Sequence, residues 1–336
     1  MQLATRLVAG VLAAVLLTSA ASAQSSADFY KGKTLTLGIG SGVGGSHDVV
    51  GKMISRHLAK HVPGNPTVVP QNVPGAASLP LANHLAQGAP TDGSYIALFN
   101  RAGIFDKIYD AKSAATFDPT KFNWLGSIDK IWSVAYVWHT AKAHTAQELL
   151  ANEVIVGASG GTTDTIPTLM NEFAGFKFKI VRGYKGGGDV DLAVEKGEVE
   201  GRASTTWAEL KKKHWLEEKK AFVLFWNGLE KHPDLTSAPL GLDFVKKPED
   251  RKLMELFFAA DEIGYPMAAP AGVPADRLAA LRKALLDTFT DPAFVEEAKK
   301  LEFEVRPVSP EKIAKIVGDA YASPPEMIKR LQAVIQ

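Results

Sequence analysis

The chain has no cysteine in its 336 residues, which excludes a disulfide framework and a lipoprotein anchor. A chain of this length buries enough core to fold without such staples. It has no surplus of charge, with 38 basic residues against 37 acidic ones. Nothing in that balance favours nucleic acid or an anionic membrane surface as a partner. The apolar stretch Leu7 to Leu17 is too short to span a bilayer. No repeat of solenoid length and no low-complexity tract is present.

What is present begins with an export signal. Arg6 precedes the apolar run, and Ala21-Ser22-Ala23 is a small-residue cleavage motif. The expected product starts at Gln24, is cleaved after Ala23 and resides in the periplasm. Arg6 is the only charge in the leader, so the remainder is formally neutral.

Apolar runs alternate with amphipathic stretches along the rest of the chain, the pattern of an α/β fold with mostly parallel sheets flanked by helices. Thr34 to Ile39 reads as a buried strand. Val50, Ile54 and Leu58 form a helical stripe within Val49 to His61, which Pro63-Gly64-Asn65-Pro66 ends. Further strands are expected at Thr67 to Val69, Tyr95 to Phe99, Lys177 to Val181 and Ala221 to Phe225. Helices are expected at Val190 to Glu195, Arg277 to Thr288, Pro292 to Lys300 and Pro310 to Tyr321. The chain is expected to cross between two domains near Ile131 to Val137 and to return near Asp261 to Met267. That gives residues 1–23 as signal, 24–133 plus 264–336 as domain 1, and 134–263 as domain 2.

Two similar segments carry the functional signal. The first strand runs into Gly40-Ser41-Gly42-Val43-Gly44-Gly45-Ser46-His47-Asp48, and Val154-Ile155-Val156 runs into Gly157-Ala158-Ser159-Gly160-Gly161-Thr162-Thr163-Asp164. A glycine-rich turn into a helix presents free N–H groups at the positive end of the helix dipole, which suits an anion. Two such turns facing a cleft would grip a carboxylate from both sides.

Each segment also matches a catalytic or cofactor motif. Gly40 to Gly45 is a literal GxGxxG, but a dinucleotide site needs an acidic residue about 20 positions on. No Asp or Glu occurs between Asp48 and Asp92. Gly157 to Gly161 is a literal GxSxG, which makes a secreted serine hydrolase using Ser159 the alternative reading. That fold expects a late histidine, yet the last one is His232; Asp191 then His214 could supply the order, but His214 sits in a lysine-rich stretch. His57 and His61 are four apart on one helix but have basic neighbours, so neither a metal nor any other cofactor is expected. Asn100 and Arg101 follow a strand end, where ligand loops of open sheets belong. Tyr184 and Gly186, in Tyr184-Lys185-Gly186-Gly187-Gly188, precede a helix. Arg202 and Ser204 end a short strand.

Taken together, Phe29-Tyr30-Lys31-Gly32-Lys33-Thr34, the Gly-Gly-Ser-His-Asp loop, Pro63-Gly64-Asn65-Pro66, Asn72-Val73-Pro74-Gly75-Ala76, Pro90-Thr91-Asp92-Gly93 and Gly272-Val273-Pro274 resemble the substrate-binding proteins of tripartite tricarboxylate transporters, the Bug or TctC family. The resemblance implies a type II periplasmic binding fold, two lobes with a ligand cleft between. It implies a monomeric receptor that is no enzyme and delivers a small organic acid (a di- or tricarboxylate, an aromatic acid or an amino acid) to integral membrane transporter subunits. It places ligand contacts at Ser41, Gly44, Gly45 and Ser46 on one side and at Ser159, Gly160, Thr162 and Thr163 on the other. The loop reading adds Gly42 and Asp164. Many relatives carry Gly-Pro-Gly-Gly in the first loop, and this chain departs from that pattern at Val43. Arg101 and Arg202 would suit a second anionic group, as in a dicarboxylate.

Overall fold

The computed structural model describes residues 25–335, so the expected export signal and its cleavage point lie outside the described residues. Two five-stranded sheets organise the chain. The first contains β1 (Thr34–Ile39), β2 (Thr67–Asn72), β3 (Tyr95–Leu98), β4 (Asn123–Gly126) and β10 (Met267–Ala269). The second contains β5 (Ser133–Trp138), β6 (Val154–Gly157), β7 (Phe178–Val181), β8 (Gly201–Thr206) and β9 (Ala221–Asn227). Their orders are β2-β1-β3-β10-β4 and β7-β6-β8-β5-β9. In each sheet four strands share a direction and one, β10 or β5, is reversed. Each reversed strand is the first after a crossing between the sheets, so the two lobes have one topology entered from different ends.

The strands form where burial on both faces selects apolar side chains. Leu35, Leu37 and Ile39 of β1 are fully buried, and every residue of β5 is buried. β5 claims Ser133 to Trp138, so the first crossing occupies Ser127 to Trp132, earlier than expected. The first helix spans Ser46–Leu58 and buries Val50, Met53, Ile54 and Leu58. It starts three residues before the expected Val49 because extended Gly45 caps it and Asp48 sits in its first turn. Helices Pro248–Phe258 and Pro325–Ile335, and strand β4, were not anticipated.

The crossing segments are bonded to each other. Ile131 N donates to Asp261 O at 2.8 Å, and Tyr265 N donates to Ser127 Oγ at 3.0 Å. Gly264 has φ +51°, and a Cβ there would lie 1.9 Å from Asp129 O, so only glycine fits this contact. The C-terminal segment adds a third link, since Val308 N donates to Ser127 O at 3.0 Å and Arg306 N to Ile128 O at 2.9 Å. One apolar cluster runs through both lobes, from Phe99 and Trp124 to Leu169 and Phe225. The Pro325–Ile335 helix lies across that seam. Its Leu331 is buried in the shared cluster, Arg330 pairs with Asp250, and Gln332 Nε2 donates to Lys107 O at 3.2 Å.

Candidate functional site

The two glycine-rich loops occupy equivalent places, each at the end of the second strand of its sheet. In the first, Gly44 adopts φ +90° and its N–H donates to Asp48 Oδ2 at 2.9 Å. Lys52 reaches the same oxygen at 2.8 Å, while Asn72 Nδ2 donates to Asp48 Oδ1 at 2.9 Å and to Ser41 O at 3.0 Å. Burial alone would raise the Asp48 carboxyl; these donors outweigh it and hold the group down at about 2. Gly42 and Gly44 face open space. Val43, at the tip, is 76% exposed.

His47 ties this loop to the returning crossover. Ser46 and Tyr265 line one cavity, and the His47 and Tyr265 rings are 4.8 Å apart. Burial, reinforced by the Arg101 charge, pushes the His47 imidazole down to about 4.

In the second loop Gly160 and Gly161 take φ +95° and +60°. Ser159 N donates to Thr163 Oγ1 at 2.9 Å, and that hydroxyl donates to Gly160 O at 2.8 Å. The loop thus closes on a neutral hydroxyl where the first closes on a carboxylate. Thr162–Ala174 is helical from the next residue. Asp164 turns away to Arg182 at 2.7 Å.

A cavity of about 100 Å³ lies between the lobes, and the residues around it include Arg101 from the first lobe and Thr162, Thr163, Arg202 and Ser204 from the second. Ile131 and Asp261 close it from the crossing segments. Arg101 Nε donates to Asp261 Oδ1 at 2.6 Å. Arg202 is 5% exposed and donates from Nη1 to Asp191 Oδ1 at 3.0 Å. Asp191 also meets Lys213 at 3.0 Å and the Tyr136 hydroxyl at 2.7 Å. Those cations and donors hold the Asp191 carboxyl below its usual range, against burial, which acts to raise it. The buried Nε of Arg202 has no partner among the described residues. Ser133, Ser204 and Thr162 are linked by hydroxyl contacts of 3.3 Å, about half an ångström longer than a strong O–H···O bond. These hydroxyls are therefore free to turn toward a ligand.

A second cavity, of about 200 Å³, adjoins the first, sharing Ile131, Thr206 and Glu209 with it. Ser46, Asp129, Trp132, Trp207 and Tyr265 face it. Asp129 is 5% exposed; its Oδ1 accepts from Lys130 N at 2.7 Å and from Trp132 Nε1 at 3.4 Å. Burial, with nearby Glu304 adding to it, pushes its carboxyl up to about 7.

The sequence-predicted residues thus separate into groups. Arg101, Thr162, Thr163 and Ser204 meet at the smaller cavity, and Ser46 reaches the larger one. Ser41, Gly42, Gly44, Gly45, Asn100, Ser159, Gly160, Asp164, Tyr184 and Gly186 line neither. Asn100 caps the short helix after β3, its Oδ1 accepting from Ala102 N at 3.0 Å. Gly186 caps the Gly187–Glu195 helix, and Tyr184 packs near Gly157. The N–H groups of Gly44 and Ser159 are spent inside their own loops, whereas those of Gly45, Ser46, Gly160, Thr162 and Thr163 carry no bond among the described residues. Ser133, Thr205, Thr206, Glu209, Asp261 and Asp129 were missed. The hydroxyl run Ser204-Thr205-Thr206 was the one visible signal for part of this set.

The alternative chemistries find no support in the geometry. No hydrogen bond joins Ser159 Oγ to a histidine among the described residues, and His214 is exposed and paired with Glu217 at 3.1 Å. His57 and His61 bind separate carboxylates, Glu297 at 2.7 Å and Asp291 at 2.9 Å. His232, Asp234 and Glu304 form the one metal-competent cluster among the described residues. Lys211 already bridges its two carboxylates at 2.9 and 3.0 Å. No helix of the described residues is long and apolar enough to cross a membrane.

No family model matches the chain, and no curated protein does. Solved structures do. A TctC solute-binding protein from Polaromonas aligns with a TM-score of 0.68 at 18% identity, over 91% of this chain and 99% of that one. The periplasmic binding protein BugD aligns at 0.60 and 18%, over 91% and 98%. MatC from Rhodopseudomonas palustris, solved with bound malate, aligns at 0.57 and 18%, over 90% and 99%. The chain therefore has the fold of the two-domain periplasmic solute-binding proteins, of the TctC and Bug kind.

Proposed function

We propose that the protein is an exported receptor that captures a small organic carboxylate between its lobes and delivers it to membrane transporter subunits. The observation that carries this reading is the interlobe cavity where Arg101 of the first lobe faces Thr162, Arg202 and Ser204 of the second. The lobes are residues 24–133 with 264–336, and 134–263. The malate-bound neighbour, and an adipate-bound protein of R. palustris at TM-score 0.58 and 18% identity, support an acid as ligand.

The mechanism is closure around the ligand. A carboxylate accepts from Thr162 and Thr163 N–H groups at one helix N-terminus and from Ser46 at the other, and only the closed form offers both. Charge-assisted hydrogen bonds contribute roughly 1.5–3 kcal/mol each, so three or four support micromolar binding after association costs. Arg101 and Arg202 add sites for a second acidic group. Nothing in this scheme needs a nucleophile or a cofactor, and a monomer suffices.

A thermal-shift panel on refolded residues 24–336 tests the reading. Ligand at about 100 times its dissociation constant adds roughly 2.7 kcal/mol, which shifts the midpoint by about 2 °C in a chain of this size. A selective shift with one class of acid is expected. Absence of any shift across mono-, di- and tricarboxylates, with esterase turnover abolished in Ser159→Ala, would overturn it.

A further inference from the structure

The larger cavity has a different chemistry from the smaller one. Four carboxyl groups (Asp129, Glu209, Glu302 and Glu304) face it, against the ammonium groups of Lys130 and Lys212. Most of these charges are already matched. Glu302 pairs with Lys212, Glu304 with Lys211, Arg306 and His232, and Lys130 with Glu230 and Glu262. Two carboxyl groups are left without a salt bridge among the described residues, Asp129 feeling Arg306 only beyond contact distance. Glu209 takes only the Thr205 hydroxyl at 3.1 Å, besides capping contacts made by its backbone. Asp129 takes two donors on Oδ1 and none on Oδ2.

Asp129 is the more telling of the two. A carboxyl 95% withdrawn from water normally carries a cation or a full set of donors, because burying an unmatched charge is costly. Its proton affinity is raised accordingly. The side chain lies on the first crossing segment, beside the cavity and under the contact with Gly264. Trp132 and Trp207 wall the same space, and Lys130 already lies over the Trp132 ring at 4.0 Å, so that ring face is taken. The attraction left for an incoming cation therefore comes from Asp129 and Glu209. Glu209 borders both cavities, so a molecule lying across them would pass it.

Resting on the carboxylate-receptor reading, we propose that the ligand carries an amine as well as its acid group, as an amino acid does. Its carboxylate enters the chamber of Arg202, Thr162 and Ser204, and its ammonium enters the chamber of Asp129 and Glu209. The ammonium supplies the ion-pair contact that Asp129 lacks and donates to its Oδ2. A simple dicarboxylate placed the same way brings a second acid group, with no ammonium, beside Asp129 and Glu209, and binds more weakly than its amine-bearing twin.

Paired ligands that differ only in the amine test this: glutamate against glutarate, aspartate against succinate, and 4-aminobutyrate against butyrate. Calorimetric titration of the refolded full-length mature chain reads the ratio of affinities within each pair. In at least one pair the amine-bearing acid is expected to bind about tenfold tighter or more. That ratio falls toward one in Asp129→Asn. Should that variant not fold, Glu209→Gln, an exposed first-turn position, reads the same ratio. Twins that bind alike, or a ratio that survives both substitutions, would overturn the amine while leaving the carboxylate receptor standing. If no member of any pair or of the carboxylate panel binds, the receptor reading itself falls, and the inference with it.

Discussion

The two glycine-rich loops sit at matching strand ends of matching sheets, yet they are held by different chemistry. The first is closed by Asp48, a charged acceptor with three side-chain and backbone donors around it. The second is closed by Thr163, a neutral hydroxyl with two short bonds. The arginines divide the same way. Arg202 is buried in the second lobe on a carboxylate of its own lobe, whereas Arg101 leans on Asp261 in the returning crossover. The second lobe thus carries a self-contained half-site. The first lobe's half is coupled to the crossing segments through Arg101 and His47, so movement between lobes alters one half more than the other.

The largest effect expected from breaking this asymmetry comes from Asp191→Ala. It strands Arg202 and Lys213 without their shared carboxylate, and losing one partner of a buried ion pair costs about 3–5 kcal/mol. Chemical denaturation should show that loss as a lower midpoint. Arg202→Met is milder for stability, because Lys213 and Tyr136 still satisfy Asp191. For ligand it is severe, and titration should show affinity falling about 100-fold or more, the loss of one or two charge-assisted bonds. An Arg202→Met protein that binds its acid normally would remove the second lobe's arginine from the site.

Much of the fold was legible because it depends on local pattern. The buried alternation of β1, the stripe of the first helix and the glycine turns are all set by residues close together in sequence. The last helix, Pro325–Ile335, is amphipathic but gained its place by covering a seam between residues far apart, which spacing alone does not reveal. The site was legible in part for the same reason. Thr162 and Ser204 belong to strand-end motifs, whereas Asp129 and Asp261 owe their roles to crossing segments that meet only in three dimensions. Asp164 pairs with Arg182, 18 positions on in another strand's exit, a contact that spacing alone does not reveal.

Asp48→Ala should cost the first loop the bonds from Gly44, Lys52 and Asn72, about 2–3 kcal/mol in all after the loop relaxes. Hydrogen exchange then reports faster opening of residues 41–49 with residues 159–165 unaffected. Thr163→Val should do the reverse on a smaller scale, about 1 kcal/mol, since only neutral bonds are lost. If Asp48→Ala loosens both loops equally, the half-sites are not separate and the contrast drawn between them fails.

Acid separates the loops more finely. His47 is held at about 4, below its ordinary value near 6.5, so the folded state refuses a proton that the unfolded chain accepts. Its contribution is whole above pH 6.5 and is lost as pH falls from there toward 4. Asp48, held at about 2, contributes above its ordinary value near 4 and loses that contribution between pH 4 and 2. Asp129 opposes them: its carboxyl is raised to about 7, so its contribution is whole below pH 4 and is lost as pH rises toward 7. The first loop should therefore lose exchange protection in two steps, one below pH 6.5 and one below pH 4, after correction for the intrinsic rate. His47→Gln removes the first step and leaves the second. The Thr163 loop, closed by a group that carries no charge, has no step of this origin, and finding the same two steps there would show that the loops open as one unit through the crossing segments.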